Sequence, residues 1–149
     1  MPDAAPADAP RTFFTIGYGG RPPEEFVGLL RAHGVATVAD VRLRPDRASM
    51  GAYTRAKSPE KGIEKLLADA GIGYRSLPEL GNVFLDLGDW TAPYAELIDR
   101  AGDLLTRRLV ELPGPFCLLC AEKRVAECHR KAVAEHLTAR GGWRVVHIE

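Results

Sequence analysis

Short apolar runs alternate along the chain with segments whose apolar residues recur at helical spacing. Five runs predict β-strands: Phe13–Ile16, Thr37–Val41, Gly73–Leu77, Phe116–Cys120 and Val145–Ile148. The run Phe116–Cys120 is apolar throughout, which is typical of a central strand covered on both faces. We therefore expect it near the middle of a sheet.

Amphipathic segments separate these runs and predict helices over residues 22–34, 58–71, 94–105 and about 125–140. Ser58 and Pro59 resemble an N-cap and a first helical position, and Gly71 marks an end. Strands alternating with helices predict an α/β fold: one domain with a roughly five-stranded, mainly parallel sheet and helices on both faces. This is a three-layer, Rossmann-like arrangement.

Composition agrees with one globular domain. The chain has 149 residues, 46% hydrophobic and 27% charged, enough to bury a core without staples. We expect residues 1–10 to be a disordered tail and residues 11–149 to form the domain. Twenty basic side chains balance twenty acidic ones, which argues against a general nucleic-acid-binding surface but leaves room for a local basic patch.

The sequence favours a cytoplasmic protein without a membrane segment. No apolar run approaches the roughly 18 residues that a membrane span needs. The first ten residues lack the basic start and apolar stretch of a signal peptide. Three cysteines are an odd number, so reduced thiols are expected rather than a disulfide framework.

Ligands of parallel α/β sheets bind beyond the carboxyl ends of the strands. That rule selects four segments that should converge: residues 17–20, 40–47, 77–81 and 120–130. The last of these is the strongest candidate, because Cys120 ends the central strand and a helix beginning near Val125 would turn His129 inward. Cys128 and Arg130 should then flank His129 at the rim.

Charged neighbours suggest how Cys120 would act. A helix N-terminus and the cations Lys123 and Arg130 favour a thiolate, while Glu122 could serve as a general acid or base. Cysteines are also common core residues, and we assign Cys117 to the core.

A basic loop follows the second strand, with six basic residues against two acids between residues 42 and 61. Arg42, organised by Asp40, is the expected anion-binding group there. The glycine-rich turn at residues 17–20 allows a close approach to a ligand, although it lacks the full dinucleotide-binding spacing.

The chain resembles the DUF488 family, which is named for its unknown function. The matching stretches are Thr15–Tyr18, Asp40–Arg42, Gly71–Tyr74, Leu77–Gly81, Cys120–Lys123 and Cys128–Arg130. The resemblance implies an α/β fold and the same strand-end residues, among them Gly17, Tyr18, Glu79 and Gly81 as substrate-binding positions. It implies no particular activity.

Three hypotheses about function follow. The first is an enzyme acting on a small anionic or nucleotide-like substrate, with Cys120 as nucleophile or thiol base, His129 or Glu122 as proton carrier, and Arg42 with Arg130 as anion clamp. Phosphatase and rhodanese signatures are absent, because the sixth residue after Cys120 is Ala126.

The other two hypotheses do not need catalysis. One is a zinc or iron site built from Cys120, Cys128 and His129. The other is a nucleotide or nucleic-acid binding module using the basic loop. In a minor redox variant, Cys120 and Cys128 form a reversible disulfide, which requires their Cα atoms to lie within roughly 7 Å. Cofactor and oligomeric state stay open.

Overall fold

The computed structural model describes residues 11–48 and 51–149. The predicted tail, residues 1–10, lies outside this range. The strands are β1 Arg11–Gly17, β2 Thr37–Asp40, β3 Gly73–Ser76, β4 Phe116–Cys120 and β5 Trp143–Ile148. The helices are α1 Pro23–Ala32, α2 Gly62–Asp69, α3 Thr91–Leu105, α4 Arg107–Val110 and α5 Arg130–Ala139, and 3-10 turns occupy Gly51–Tyr53, Pro78–Leu80 and Val125–Glu127.

The five strands form one parallel sheet in the order β3-β2-β4-β1-β5, which confirms the predicted fold class. The apolar strand β4 is central, as expected. Gly17 of β1 pairs with Cys120 of β4, and Asp40 of β2 pairs with Leu119. Because of this register, β1, β2 and β4 end at nearly the same level.

Two hydrophobic cores cover the two faces of the sheet. Successive residues of a strand point to opposite faces, so Phe13 packs in a cluster with Tyr94 of α3 and Val133 of α5. Its neighbour Phe14 packs in the other cluster with Phe26 of α1 and residues of α2. Burial of one large apolar side chain contributes about 1.5–3 kcal/mol, and these clusters hold the three layers together.

The strand order also determines to which face of the sheet each connection crosses. From β1 the chain moves through β2 to the edge strand β3, then reverses through β4 to β5. With right-handed crossovers, the two directions place helices on opposite faces. The chain that follows β4 therefore crosses to one face of the sheet and the chain that follows β1 or β2 to the other, which leaves a crevice at the carboxyl end of β4.

Two predicted helix starts are wrong. α2 begins at Gly62, and Ser58 instead accepts a hydrogen bond from the Glu60 N–H in a local turn. α5 begins at Arg130, after the 3-10 turn Val125–Glu127. In both cases the sequence pattern missed a turn placed before the helix. No helix in the described ranges is long and apolar enough to cross a membrane.

Candidate functional site

A cavity of about 250 Å³ lies at the carboxyl ends of the strands, beside β4. We call it the strand-end cavity. Tyr18 after β1, Arg42 after β2 and Cys120 of β4 all line it, together with Cys128 and His129. The remaining lining residues are Leu43, Arg44, Arg47, Asn82, Leu85, Trp90, Ala121, Glu122 and Glu127. Three of the four segments expected to converge therefore contribute to the lining, whereas residues 77–81 do not and only the adjacent Asn82 does.

Arg42 is held by a buried carboxylate. Its Nε and Nη2 donate to the two oxygens of Asp40 at 2.9 and 2.7 Å, and Tyr74 donates its hydroxyl to the same group at 2.6 Å. Burial lowers the pKa of Arg42, but its hydrogen bonds to Asp40 and the charge of that residue outweigh this effect and raise it. The pKa of Tyr74 is also raised, chiefly by burial. Arg42 is thus a fixed cation.

Two buried donors of the cavity lining have no acceptor within the described ranges. They are Nη1 of Arg42 and Nδ2 of Asn82. Arg42 is only 7% exposed and Asn82 only 1%, so neither donor is freely hydrated. Unpaired buried donors carry a cost of about 1–3 kcal/mol. An acceptor-rich ligand in the strand-end cavity would relieve that cost.

Cys120 faces a second buried guanidinium. Nη1 of Arg130 lies 2.9 Å from Sγ of Cys120 and also donates to the Glu122 carbonyl at 2.7 Å. Burial lowers the pKa of Arg130 to about 10, so it stays charged at neutral pH. A buried cation beside sulfur favours the thiolate. Arg130 therefore acts on Cys120 and is not part of the cavity lining.

His129 lies beside the other sulfur. Its Nε2 is 2.8 Å from the Val41 carbonyl oxygen, and its Nδ1 is 3.7 Å from Sγ of Cys128. A carbonyl only accepts, so Nε2 carries the hydrogen and Nδ1 presents a lone pair to Cys128. Burial lowers the pKa of His129, and the charge of Arg130 lowers it further. The imidazole is neutral at pH 7.

The two cysteines form a pair. Their Sγ atoms lie within bonding distance of each other, and their Cα atoms are 7.3 Å apart, slightly beyond the roughly 7 Å limit set for a reversible disulfide. Cys120 and Cys128 are almost fully buried by their neighbours, yet both line the cavity. The third cysteine, Cys117, is a core residue on the opposite face, and burial raises its pKa.

The site also contains a set of donors that could hold a metal ion. Ligand atoms of Cys120, Glu122 and Cys128 all lie within 4.8 Å of one another. Glu122 takes the place that we expected for His129. Two thiolates and a carboxylate suit zinc or iron. The guanidinium of Arg130, however, already contacts the Cys120 sulfur and opposes a second cation there.

Several predicted ligand-binding residues instead shape the protein's own backbone. A Cβ on Gly17 would collide with the Glu122 carbonyl, and one on Gly19 would lie 2.7 Å from the Ala121 oxygen. Gly81 has the same relation to Leu43, whose Cα would be 2.6 Å away. Both turns must lack side chains so that adjacent loops can pack closely.

Two charged residues have partners outside the cavity. Glu79 forms a bidentate ion pair with Arg108 of α4, at 2.8 and 2.7 Å, which lowers the pKa of Glu79. Lys123 contributes its backbone carbonyl, which accepts from Nη2 of Arg130 at 3.2 Å. Neither side chain lines the cavity.

The expected position of Cys128 and Arg130 at the rim is wrong. Cys128 is 3% exposed and Arg130 is fully buried. The reason is the late start of α5, because residues 125–127 form a 3-10 turn and the helical phase begins only at Arg130.

Asn82 is the main lining residue that the sequence analysis did not identify. Its Oδ1 accepts from the Phe84 N–H at 3.0 Å, which directs Nδ2 away from that turn. The position of Asn82 after a glycine indicates only a loop. In the basic loop, Arg44 and Arg47 both join the lining, and Arg44 also pairs with Asp46 at the surface.

The comparison with protein families gives one match. The family described as "Domain of unknown function DUF488" matches residues 22–137, more than half of the chain. No match was found among curated proteins or among solved structures.

Proposed function

The chain belongs to the DUF488 family, and from the geometry of its site we propose that it is an enzyme acting on a small anionic substrate through Cys120. The proposal rests on one observation: a thiol and two hydrogen-bond donors that no described residue satisfies lie in the same cavity. Nη1 of Arg42 and Nδ2 of Asn82 lack acceptors among the described residues, and both residues share a cavity with Cys120.

The anion is bound by the side of the cavity nearest β2. Arg42 is fixed by Asp40 and offers its remaining donor, and Asn82 adds a neutral donor. Arg47 contributes a further positive charge to the lining. A fixed guanidinium is well suited to phosphate or carboxylate oxygens, and the donors need no rearrangement when the substrate binds.

Cys120 is the nucleophile. Arg130, which is fully buried, stabilises its thiolate, which removes the need for a base at the moment of attack. Glu122 is exposed at the mouth of the cavity and is positioned to exchange protons with solvent. The product of attack is a covalent adduct on the Cys120 sulfur, next to the bound anionic group.

The test is protection of Cys120 from alkylation. Reduced protein is treated with iodoacetamide at neutral pH, and labelled peptides are identified by mass spectrometry. We expect prompt labelling of Cys120, and inorganic phosphate should slow it in a saturable way. Asn82→Asp keeps the oxygen that accepts from the Phe84 N–H but replaces the Nδ2 donor with a negatively charged oxygen. It should therefore weaken protection by phosphate at least about tenfold.

Arg47→Gln should weaken protection as well, and Arg100→Gln is its matched control. Arg100 carries the same charge but lies on α3, paired with Glu96. An inert Cys120, or protection unchanged in Asn82→Asp, would contradict the proposal. One equivalent of zinc or iron that blocks labelling until chelated would instead assign the two sulfurs to a metal site.

A further inference from the structure

We propose that the reaction is a dithiol–disulfide exchange: Cys120 attacks a small anionic disulfide, and Cys128 resolves the resulting mixed disulfide. This inference rests on the proposed function, because it requires Cys120 to be the nucleophile in the strand-end cavity. It adds a second reacting sulfur, a proton acceptor for it, and a substrate class.

The pair of sulfurs carries the inference. Cys120 and Cys128 line the same cavity, and their Sγ atoms lie within bonding distance even though the Cα separation of 7.3 Å slightly exceeds the roughly 7 Å expected for a reversible disulfide. A hydrolytic thiol enzyme needs only one cysteine, and a second sulfur in bonding reach of the nucleophile would compete with water for the adduct. Such a geometry suits thiol exchange, in which the second thiol is the required attacking group.

The two sulfurs have different surroundings, which assign their order of action. Cys120 faces the cation Arg130 at 2.9 Å, so it is the sulfur held as a thiolate before substrate arrives. Cys128 faces the lone pair of His129 Nδ1 at 3.7 Å, and the Arg130 backbone N–H donates to its sulfur at 3.4 Å. Cys128 is thus a thiol with a neighbouring base, ready to lose its proton in the second step.

In the first step, the Cys120 thiolate attacks one sulfur of the substrate disulfide. A bond forms between Sγ of Cys120 and that sulfur while the substrate S–S bond breaks. The expelled substrate thiolate takes a proton from solvent. The anionic group of the retained half stays near Arg42 and Asn82, which keeps the mixed disulfide beside Cys128.

In the second step, the Cys128 thiol gives its proton to Nδ1 of His129 and attacks Sγ of Cys120. The Cys120–Cys128 bond forms, the mixed disulfide breaks, and the second substrate thiolate takes the proton from Nδ1. The substrate gains two electrons and the protein loses two. A low-molecular-weight thiol, as the reductant, restores both cysteines by the reverse exchange and completes the cycle.

Stoichiometry with an aromatic dianionic disulfide, 5,5′-dithiobis(2-nitrobenzoate), tests the inference. Reduced protein freed of reductant should release about two equivalents of the coloured thiol and end without an adduct, having lost two hydrogens. Cys128→Ser should release about one equivalent and keep an adduct on Cys120. Circular dichroism checks the fold of the variant, and mass spectrometry of the wild-type protein gives the same answer without any substitution.

The separate rates at which the first and the second coloured thiol are released test the role of His129. His129→Gln should slow release of the second thiol at least about tenfold and leave the first unchanged. His136→Gln is the control, because His136 lies on α5, the helix that follows His129, but contacts Asp103 instead. If the wild-type protein stops after one equivalent with a stable adduct on Cys120, the proposed dithiol–disulfide exchange is wrong, while Cys120 as the nucleophile is supported. If no thiol is released, the proposed function itself fails.

Discussion

Asp40 holds Arg42 in place, although Asp40 itself does not line the cavity. Its buried carboxylate accepts from the Arg42 side chain and backbone and from the Tyr74 hydroxyl. The carboxylate of this ion pair accepts hydrogen bonds at both oxygens. Nη1 of the Arg42 guanidinium, in contrast, has no acceptor among the described residues. A buried ion pair adds little net stability, so the open donor is the feature that the proposed anion binding uses.

Tyr74→Phe removes a hydrogen bond to this buried carboxylate. We expect the free energy of unfolding to fall by about 1.5–3 kcal/mol, because the bond is charge-assisted. Tyr94→Phe is the matched control, since the Tyr94 hydroxyl donates to the neutral Leu80 carbonyl at 2.7 Å and should cost only about 1 kcal/mol. Urea denaturation measures both. An equal or smaller loss for Tyr74→Phe would contradict the account of Asp40.

The sequence could indicate Cys120 and Arg42, because each directly follows a run that reads as a strand, and strand ends of a parallel sheet converge. It could not indicate Asn82, whose position depends on a loop turn and on the packing of Gly81 against Leu43. Nor could it assign His129 to Cys128, because that contact depends on where α5 begins.

At the scale of elements, the close approach between the β1 turn and the loop after β4 determines the geometry around Cys120. The Tyr18 N–H donates to the Cys120 carbonyl at 3.1 Å, and the Gly19 N–H donates to the Ala121 carbonyl at 2.8 Å. The same loop presents the Glu122 carbonyl to Arg130. A shift of this loop would therefore move the guanidinium that contacts the Cys120 sulfur.

Gly17→Ala is expected to cause that shift, since its Cβ would collide with the Glu122 carbonyl. Stability should fall by at least about 1 kcal/mol, and alkylation of Cys120 should slow. Gly28→Ala in α1 is the control, because nothing lies within 4 Å of its Cβ position and alanine favours a helix by about 0.5–1 kcal/mol. Thermal unfolding and labelling rates that are alike in the two variants would exclude this role of Gly17.

The helix boundaries show what apolar spacing in the sequence cannot predict. Apolar spacing identified the buried faces of α1, α2 and α3, but turns at Ser58 and at Val125–Glu127 delay the start of α2 and α5. These turns are stabilised by local and tertiary hydrogen bonds. One example is the Val125 N–H, which donates to the Glu149 carboxylate from the chain end.

Over the whole molecule, alternation of strands and helices was enough to predict a parallel three-layer fold. The strand order was not predictable from the sequence, because β3-β2-β4-β1-β5 depends on which edges the helices cover. That order places β4 between β1 and β2 and thereby creates the cavity beside Cys120. The site is thus a consequence of topology as much as of its motif.

The whole molecule should lose stability in mild acid. Burial lowers the pKa of His129 and of His147, and the positive charge of Arg130 also lowers both. In the unfolded chain both imidazoles return to ordinary values near 6.5, so the unfolded state binds more protons below that pH. Unfolding free energy therefore falls as pH drops below about 6.5.

Urea midpoints at pH 7.5 and 5.5 measure this loss. The window lies above the ordinary values of the carboxyls whose pKa is lowered by ion pairs, such as Glu79 at 4.5, so those groups contribute little. His129→Gln and His147→Gln should each reduce the difference between the two midpoints. A wild-type protein equally stable at both pH values would show that the histidines are not buried as described.

The central claim is that a fixed cationic pocket adjoins the Cys120 thiolate, and charge selectivity of alkylation tests it most directly. The rates of Cys120 carboxymethylation by anionic iodoacetate and carbamidomethylation by neutral iodoacetamide are compared, and the same ratio is measured for a free low-molecular-weight thiol. The account predicts a ratio at Cys120 at least about tenfold higher than that of the free thiol, falling at high salt. A ratio equal to or below that of the free thiol would contradict it.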